Sequence, residues 1–225
     1  MLFTRTASEE ASHKKFSGEN QFAKSKHLSK LFIEHATSIA KQSGLPLIVI
    51  TSRDQVGSSF GERLSNAFQN VFDRGYQKII SIGNDCLSLS PTDLREAQHA
   101  LNLGKSVVGK SISGGAYLIG LNRMKFHSTD FELLQWNTPS LYDSLLTYLS
   151  KQHSESLQLT VKADVNNSAD LRLAVNQLAG HSRFRAAIES ILRNQLIDVP
   201  VDEGNESFIV PKLDLSRAPP FLRSF

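Results

Sequence analysis

Two kinds of hydrophobic pattern alternate along the chain. Continuous apolar runs at 45–51 and 78–82 are typical of strands that are buried on both faces of a parallel sheet. Residues 21–42 and 60–74 instead carry apolar side chains at intervals of three and four, which predicts helices with one buried face. The same patterns predict further strands at 1–5, 105–110, 116–121 and 157–163, and further helices at 91–102, 139–152, 168–180 and 183–194.

The alternation of strand and helix predicts the fold class. It indicates an α/β protein in which helices flank a mostly parallel sheet. In such sheets ligands bind at the carboxyl ends of the strands, in the crevice where the strand order changes. We therefore expect the functional residues in the loops at these ends, which are 4–15, 52–59, 83–90, 111–115 and 164–167.

Polar residues mark the starts of three of these helices. Ser90-Pro91 and Thr138-Pro139 each combine an N-cap residue with a proline, whose fixed φ suits the first helical position. Asn167 is the expected N-cap of the helix that follows it.

The composition is that of one globular domain with an appendage. The chain has 225 residues, of which 40% are hydrophobic and 21% charged, too apolar a balance for a disordered protein. We assign 1–180 to the ligand-binding domain and 181–225 to a C-terminal helix and an extended tail. Because Phe221 and Phe225 would be costly to leave exposed, we expect the tail to pack on the domain or on a second copy in a homodimer.

Composition and charge also exclude several classes of function. A single cysteine, Cys86, rules out intramolecular disulfides and a multi-cysteine zinc site. No apolar run reaches the roughly 18 residues of a membrane-spanning helix, and the N-terminus lacks the apolar core of a signal peptide. We therefore expect a cytoplasmic protein. A net charge of +3 is too small to indicate nucleic-acid binding, but it suits a local anion site.

Two motif matches lack the structural context that their chemistry needs. Residues 104–111 fit G-x-x-x-x-G-K-S, but a helix precedes the first glycine and a strand runs through the middle, so no phosphate loop is expected. Residues 57–61 fit the G-x-S-x-G of serine hydrolases, but the preceding strand ends too early. Ser59 and Glu62 instead have the spacing of a helix capping box.

Five short motifs of small and polar residues lie in or beside the expected ligand loops. They are Gln55-x-Gly57-x-x-Phe60-Gly61-Glu62-Arg63, Ile82-Gly83-Asn84-Asp85-Cys86, Gly114-Gly115-Ala116-Tyr117-Leu118-Ile119-Gly120-Leu121, Trp136-Asn137-Thr138 and Asp164-Val165-Asn166-Asn167-x-x-Asp170-Leu171. In this order, over residues 1–178, the chain resembles the radical-SAM/selenodomain-associated transferases, predicted glycosyltransferases of the nucleotide-diphospho-sugar transferase superfamily. The resemblance implies a GT-A-like, Rossmann-type fold, a nucleotide-diphospho-sugar donor and a divalent metal, Mg²⁺ or Mn²⁺.

The resemblance and the loop positions together indicate candidate site residues. Asp85 follows a buried strand and is the expected metal ligand. Asp164 and Asp170 are candidates for the general base that takes the proton of the acceptor hydroxyl. The expected contacts to the nucleotide-sugar are Arg5, Lys14, Gln55, Gly57, Lys110, Ser113, Gly114, Gly115 and Trp136.

Most of these residues also have an ordinary structural interpretation. Arg5 and Lys14 are also typical of a solvated surface, and Trp136, the lone tryptophan, is typical of core packing. Asp85 and Asp170 could each cap a loop or a helix, and Gly114 and Gly115 could form a plain turn between strands.

The chain departs from the family pattern at positions that bear on the metal. Ser113 and Asn166 stand where relatives carry acids, Leu87 replaces a proline, and Lys110 adds a cation. Because divalent cations prefer anionic oxygen, we expect weak or absent metal dependence, with Lys110 neutralising the diphosphate instead. The alternatives to a glycosyltransferase are a nucleotidyltransferase of the same superfamily and a non-catalytic protein that binds nucleotide or a partner.

Overall fold

The computed structural model describes residues 1–17 and 21–193, and within them one six-stranded sheet. Its strands are β1 (Leu2–Phe3), β2 (Val49–Ile50), β3 (Lys78–Ile82), β4 (Ser106–Ser111), β5 (Ala116–Asn122) and β6 (Ser156–Lys162). The strand order is β2-β1-β3-β5-β4-β6. β1 is parallel to β2 and β3, β4 is parallel to β6, and β5 runs antiparallel to both of its neighbours.

Helices lie on both faces of this sheet. They are α1 (Ala7–His13), α2 (Phe22–Gln42), α3 (Phe60–Asp73), α4 (Pro91–Asn102), α5 (Ser128–Glu132), α6 (Leu141–Lys151), α7 (Ser168–Gln177) and α8 (Arg183–Arg193). Among the described residues, no helix has the length and apolar character needed to cross a membrane.

The apolar strands are continuous in sequence because both sheet faces are covered. Successive side chains of a strand point to opposite faces. Leu2 and Val107 therefore pack into a core with α2 and α4, whereas Phe3 and Val108 pack into a second core with α3 and α6. This arrangement confirms the predicted α/β fold class, with a mostly parallel sheet flanked by helices.

Local predictions were wrong at the first two strands. The run at 45–51 forms a strand only at Val49–Ile50, because its partner β1 is itself two residues long. β1 is short because α1 begins at Ala7, inside the stretch predicted as a loop. Thr6 and Glu9 form a capping box that begins α1, but its buried residues include only alanines as apolar side chains, so no hydrophobic period marks it.

The start of α6 was also predicted incorrectly. The helix begins at Leu141, and Thr138 belongs to the preceding turn, where its Oγ1 donates to the carbonyl of Gln135 at 2.9 Å. Asn137 in this turn has φ of 59°, in the left-handed region, so the chain is not helical there. The turn lies at the candidate site described below.

The C-terminal described residues pack on the rest of the domain. α8 contacts α2, and Phe32, Val165, Leu171 and Ile188 belong to one buried cluster that also includes α7. The division at residue 180 stays a prediction. The tail beyond 193, with the expected homodimer contact of Phe221 and Phe225, lies outside the described residues.

Candidate functional site

A cavity of about 520 Å³ opens at the carboxyl ends of β1, β3, β4 and β6. Every loop that was expected to bind ligand contributes at least one residue to its lining. In particular, the turn at 83–85 and the turn at 113–115 line this same cavity. Its volume lies within the usual range of roughly 300–1,000 Å³ for small-molecule sites.

One wall of the cavity carries a chain of alternating charges. Arg5 donates from a guanidinium nitrogen to Glu10 Oε2 at 3.0 Å, and Lys14 Nζ lies 3.3 Å from Glu10 Oε1. Lys14 Nζ also donates to Asp85 Oδ2 at 2.9 Å. α1 makes this arrangement possible, because it places Glu10 and Lys14 one helical turn apart on the same side.

The Lys14 ammonium is the most enclosed cation of this wall, with a side chain only 14% exposed. Burial acts to lower the pKa of Lys14, but the carboxylates of Asp85 and Glu10 outweigh it and raise the pKa above its ordinary value. Lys14 is therefore charged at neutral pH.

A second wall is built around the carboxylate of Asp164. Ser111 and Ser113 donate from their hydroxyls to its two oxygens, the latter at 2.8 Å, and Asn166 donates its amide at 2.9 Å. Burial acts to raise the pKa of Asp164, but these hydrogen bonds outweigh it and hold the pKa below its ordinary value of 3.8. Ser113 and Asn166, the residues that replace family acids, thus both donate hydrogen bonds to Asp164.

Replacing Asp164 by asparagine should remove part of the pH dependence of stability. Because its pKa is lowered in the fold, the carboxylate stabilises the protein above about pH 4 and loses this contribution as the pH falls through the folded-state pKa. We expect the difference in unfolding free energy between the wild type and D164N to shrink on acidification. Urea denaturation at neutral pH and at about pH 3 measures it. A constant difference would contradict the prediction.

The two walls are joined through the backbone. The amide of Val165 donates to the carbonyl of Asp85 at 2.9 Å, and Lys14 Nζ donates to the carbonyl of Val165 at 3.3 Å. These bonds tie the loop after β6 to the turn after β3, although the two are far apart in sequence. The polar groups on Asp85 and Asp164 therefore face one space.

The structure brings most of the predicted ligand residues to the lining of this cavity. Gln55 lines the cavity while its amide holds the carbonyl of Thr4 at 2.8 Å. Trp136 lines it as well, with its ring packed on Phe131 at 5.0 Å between centroids. In all, the cavity brings together Arg5, Lys14, Gln55, Asp85, Ser113, Gly115, Trp136 and Asp164.

Four of the predicted site residues are not among those that line the cavity. Lys110 lies over the ring of Tyr142 at 4.6 Å, so the structure does not bring it to the expected diphosphate position. Asp170 accepts from the backbone amide of Asn166 at 3.0 Å, next to the start of α7. Gly57, with φ of 135°, forms the turn before α3, and Gly114 lies against the backbone of Pro139.

Sequence reasoning missed two cavity residues that the structure brings forward. Glu10 is only 2% exposed and holds both cations of the charged wall. The capping box of Thr6 and Glu9 was the signal that could have indicated the helix and hence the pairing of Glu10 with Lys14. Asn84 is 7% exposed, and its Nδ2 has no hydrogen-bond partner among the described residues.

The residues around Asp85 do not fit a divalent metal as they stand. Oδ2 of Asp85, the expected ligand residue, is bound to the ammonium of Lys14, and Oε1 of Glu10 is paired with the same ammonium. Residues 1–17 and 21–193 contain no group of three or more His, Cys, Asp or Glu that could hold a metal ion. The cavity therefore presents an already paired set of oxygens to a cation.

Comparisons with known proteins give one family and several solved structures to which this chain is similar. Residues 20–138 match the family described as "Uncharacterized protein conserved in bacteria" (DUF2064). A candidate nucleotide-diphospho-sugar transferase from Desulfovibrio desulfuricans G20 has a similar structure, with a TM-score of 0.69 and 21% identity over 85% of this chain and 95% of that chain. Rv0371c from Mycobacterium tuberculosis H37Rv has a TM-score of 0.45 and 13% identity, over 78% of this chain and 97% of that chain. Its complex with manganese has a TM-score of 0.46 and 13% identity, over 79% of this chain and 97% of that chain. No protein of curated function matches in sequence.

Proposed function

The chain belongs to the DUF2064 family, and we propose that it binds a nucleotide-diphospho-sugar in the cavity and transfers the sugar to an acceptor. The observation that best supports this proposal is that the 83–85 and 113–115 turns line one cavity at the carboxyl ends of the strands. The fold is also similar to that of the Desulfovibrio protein described as a candidate transferase of this type.

Two donors on the charged wall suit phosphate oxygens. The guanidinium of Arg5 has five N–H groups, of which one nitrogen is bonded to Glu10, and its side chain is 36% exposed. The amide of Asn84 lines the cavity with its Nδ2 unsatisfied among the described residues. Buried donors of this kind are costly without a partner, so a ligand oxygen here would be favourable.

The charges of the lining balance one another. Its basic residues are Arg5, Lys14 and Arg63, and its acidic residues are Glu10, Asp85 and Asp164. A phosphate group therefore meets no large net positive field. We expect directed hydrogen bonds to bind it, with affinity that depends on position as much as on charge.

The remaining lining suits the less charged parts of such a ligand. Phe60 and Trp136, with ring centroids 5.5 Å apart, give an aromatic surface against which a base or a sugar could pack. The carboxylate of Asp164 also lines the cavity, where it could accept a hydrogen bond from a sugar hydroxyl.

One observation favours a second candidate, nucleotide-sugar binding without transfer. In transfer the acceptor oxygen attacks the anomeric carbon, the bond from that carbon to the diphosphate breaks, and the acceptor proton goes to a base. Asp164 is a weak base because its pKa is lowered. Asp170 is not among the lining residues and is held by Asn166 and Asn167.

Isothermal titration calorimetry of the full chain tests the proposed binding. The panel is UDP, GDP, CDP, a sugar conjugate of each and inorganic pyrophosphate, with Mg²⁺ or with a chelator. We expect one nucleotide to bind at least tenfold more tightly than inorganic pyrophosphate, because the aromatic surface contributes only to the nucleotide. N84A should weaken this binding about tenfold by removing one buried donor.

The matched control is N122A, which removes an asparagine at the end of β5 that is not among the cavity residues. Its affinity should equal that of the wild type. If no member of the panel binds, the proposed function is wrong. If a sugar conjugate binds but no nucleoside diphosphate is released in the presence of a mixed acceptor pool, nucleotide-sugar binding without transfer is favoured.

A further inference from the structure

Three oxygen atoms converge on the nitrogen of Lys14. They are Oδ2 of Asp85 at 2.9 Å, Oε1 of Glu10 at 3.3 Å and the backbone carbonyl of Val165 at 3.3 Å. Two carboxylates and a carbonyl are the oxygen types with which proteins bind hard divalent cations. In this protein the cation at their centre is an ammonium group.

Bonds that do not involve Lys14 hold the Glu10 carboxylate and the backbone segments that carry the other two oxygens. Glu10 is fixed by Arg5 at 3.0 Å and is almost fully buried. The turn carrying Asp85 and the loop carrying Val165 are joined by a backbone hydrogen bond of 2.9 Å. The segments that carry the three oxygens are therefore kept side by side without the help of Lys14.

We propose that Lys14 is the resident cation of the cavity, occupying the position between Glu10 and Asp85 that a divalent metal would otherwise take. A metal ion entering here meets a positive charge and finds two of its anionic ligands already bonded. Lys14 thus excludes the metal, and removing its ammonium converts the same three oxygens into a metal site.

Lys14 lines the cavity of the proposed function, and one consequence of its role, the effect of a chelator on ligand affinity, rests on that proposed function. If the cavity binds a diphosphate, the ligand is held next to a fixed single charge, so a chelator leaves its affinity unchanged. The exclusion of metal by Lys14 itself requires no assumption about the ligand.

Mn²⁺ alone, without nucleotide, is the probe that tests the proposal. Binding to the full-length wild type, K14S and K162S is measured by electron paramagnetic resonance of free Mn²⁺. We expect K14S to bind one Mn²⁺ at least tenfold more tightly than the wild type, and D85N in the K14S background to abolish the gain.

K162S is the matched control. Lys162 is similarly enclosed, with a side chain 16% exposed, and donates to Asp93 at 3.2 Å and to the carbonyl of Ser88 at 3.1 Å. It is not among the cavity residues, and within the described part of the chain it pairs with one carboxylate, that of Asp93. Its removal should leave Mn²⁺ binding as in the wild type.

Thermal melting with and without Mn²⁺ covers the case in which K14S is unstable. Two facing carboxylates should lower its melting temperature, and Mn²⁺ should restore it, since a ligand that binds only the folded state stabilises it. The proposal is overturned if Mn²⁺ neither binds K14S more tightly nor stabilises it, or if the wild type binds Mn²⁺ as tightly as K14S. Nucleotides take no part, so failure here is separate from failure of the proposed function.

Discussion

Replacing Gly114 by alanine is expected to lower the unfolding free energy by about 3 kcal/mol, through backbone strain and overpacking together. Gly114 has φ of 89°, in the left-handed region that favours glycine. A methyl group at this position would overlap the carbonyl of Pro139. The carbonyl of Gly114 also accepts from the amide of Tyr142 at 3.0 Å, so the substitution would displace the start of α6.

Gly104→Ala is the control that separates the two causes. Gly104 has a similar φ of 81°, but a methyl group there meets no atom of residues 1–17 and 21–193 within 4 Å. Urea denaturation should therefore give a loss of about 1 kcal/mol for G104A, the cost of strain alone. Equal losses of unfolding free energy in the two variants would show that the overlap with Pro139 does not add to the cost of G114A. Because the 113–115 turn lines the cavity, G114A should also weaken ligand binding.

Replacing Glu10 by glutamine is expected to destabilise the protein by about 3 kcal/mol, as breaking a buried ion pair does. The neutral amide leaves Arg5 without its carboxylate, and of the two described carboxylates that pair with Lys14 only that of Asp85 remains. The loss is large because Glu10 has a side chain only 3% exposed, where water cannot replace the missing interactions.

Glu189→Gln is the matched control for this prediction. Glu189 likewise pairs with two cations, Arg185 at 2.9 Å and Arg193 at 3.0 Å, but its side chain is 31% exposed. Exposed pairs of this kind contribute little to stability. Urea midpoints should therefore fall clearly for E10Q and little for E189Q. A similar small change in both variants would mean that the charged wall is not a structural unit.

The region of the candidate site could be predicted from sequence because it depends on strand direction. Asp85 and Ser113 were expected near each other since both follow the carboxyl ends of strands, and the structure lines one cavity with both. The roles of individual side chains could not be predicted in this way. The side chain of Lys110, on β4, lies over the ring of Tyr142. The carboxylate of Asp170 accepts hydrogen bonds from the backbone amide of Asn166 and the side-chain amide of Asn167.

The pairing of charges in the site likewise depends on contacts between distant segments. Lys14 and Asp85 are 71 residues apart, and Lys14 and Val165 are 151 apart. No local pattern relates such residues, because their distance is determined by how the loops pack on the sheet. The metal that the family resemblance implied at Asp85 has to be judged against this packing, which brings an ammonium to the same oxygens.

The sequence by itself determined the α/β class, the positions of most helices and strands, and the edge of the sheet where the loops meet. These follow from periodicity, caps and the parallel course of buried strands, which are local properties. Only the tertiary structure decided that β5 runs antiparallel and that Glu10, Lys14 and Asp85 share one wall. The physical reason is that strand pairing and burial are interactions between distant segments. A local sequence pattern does not say which other segment will pack against it.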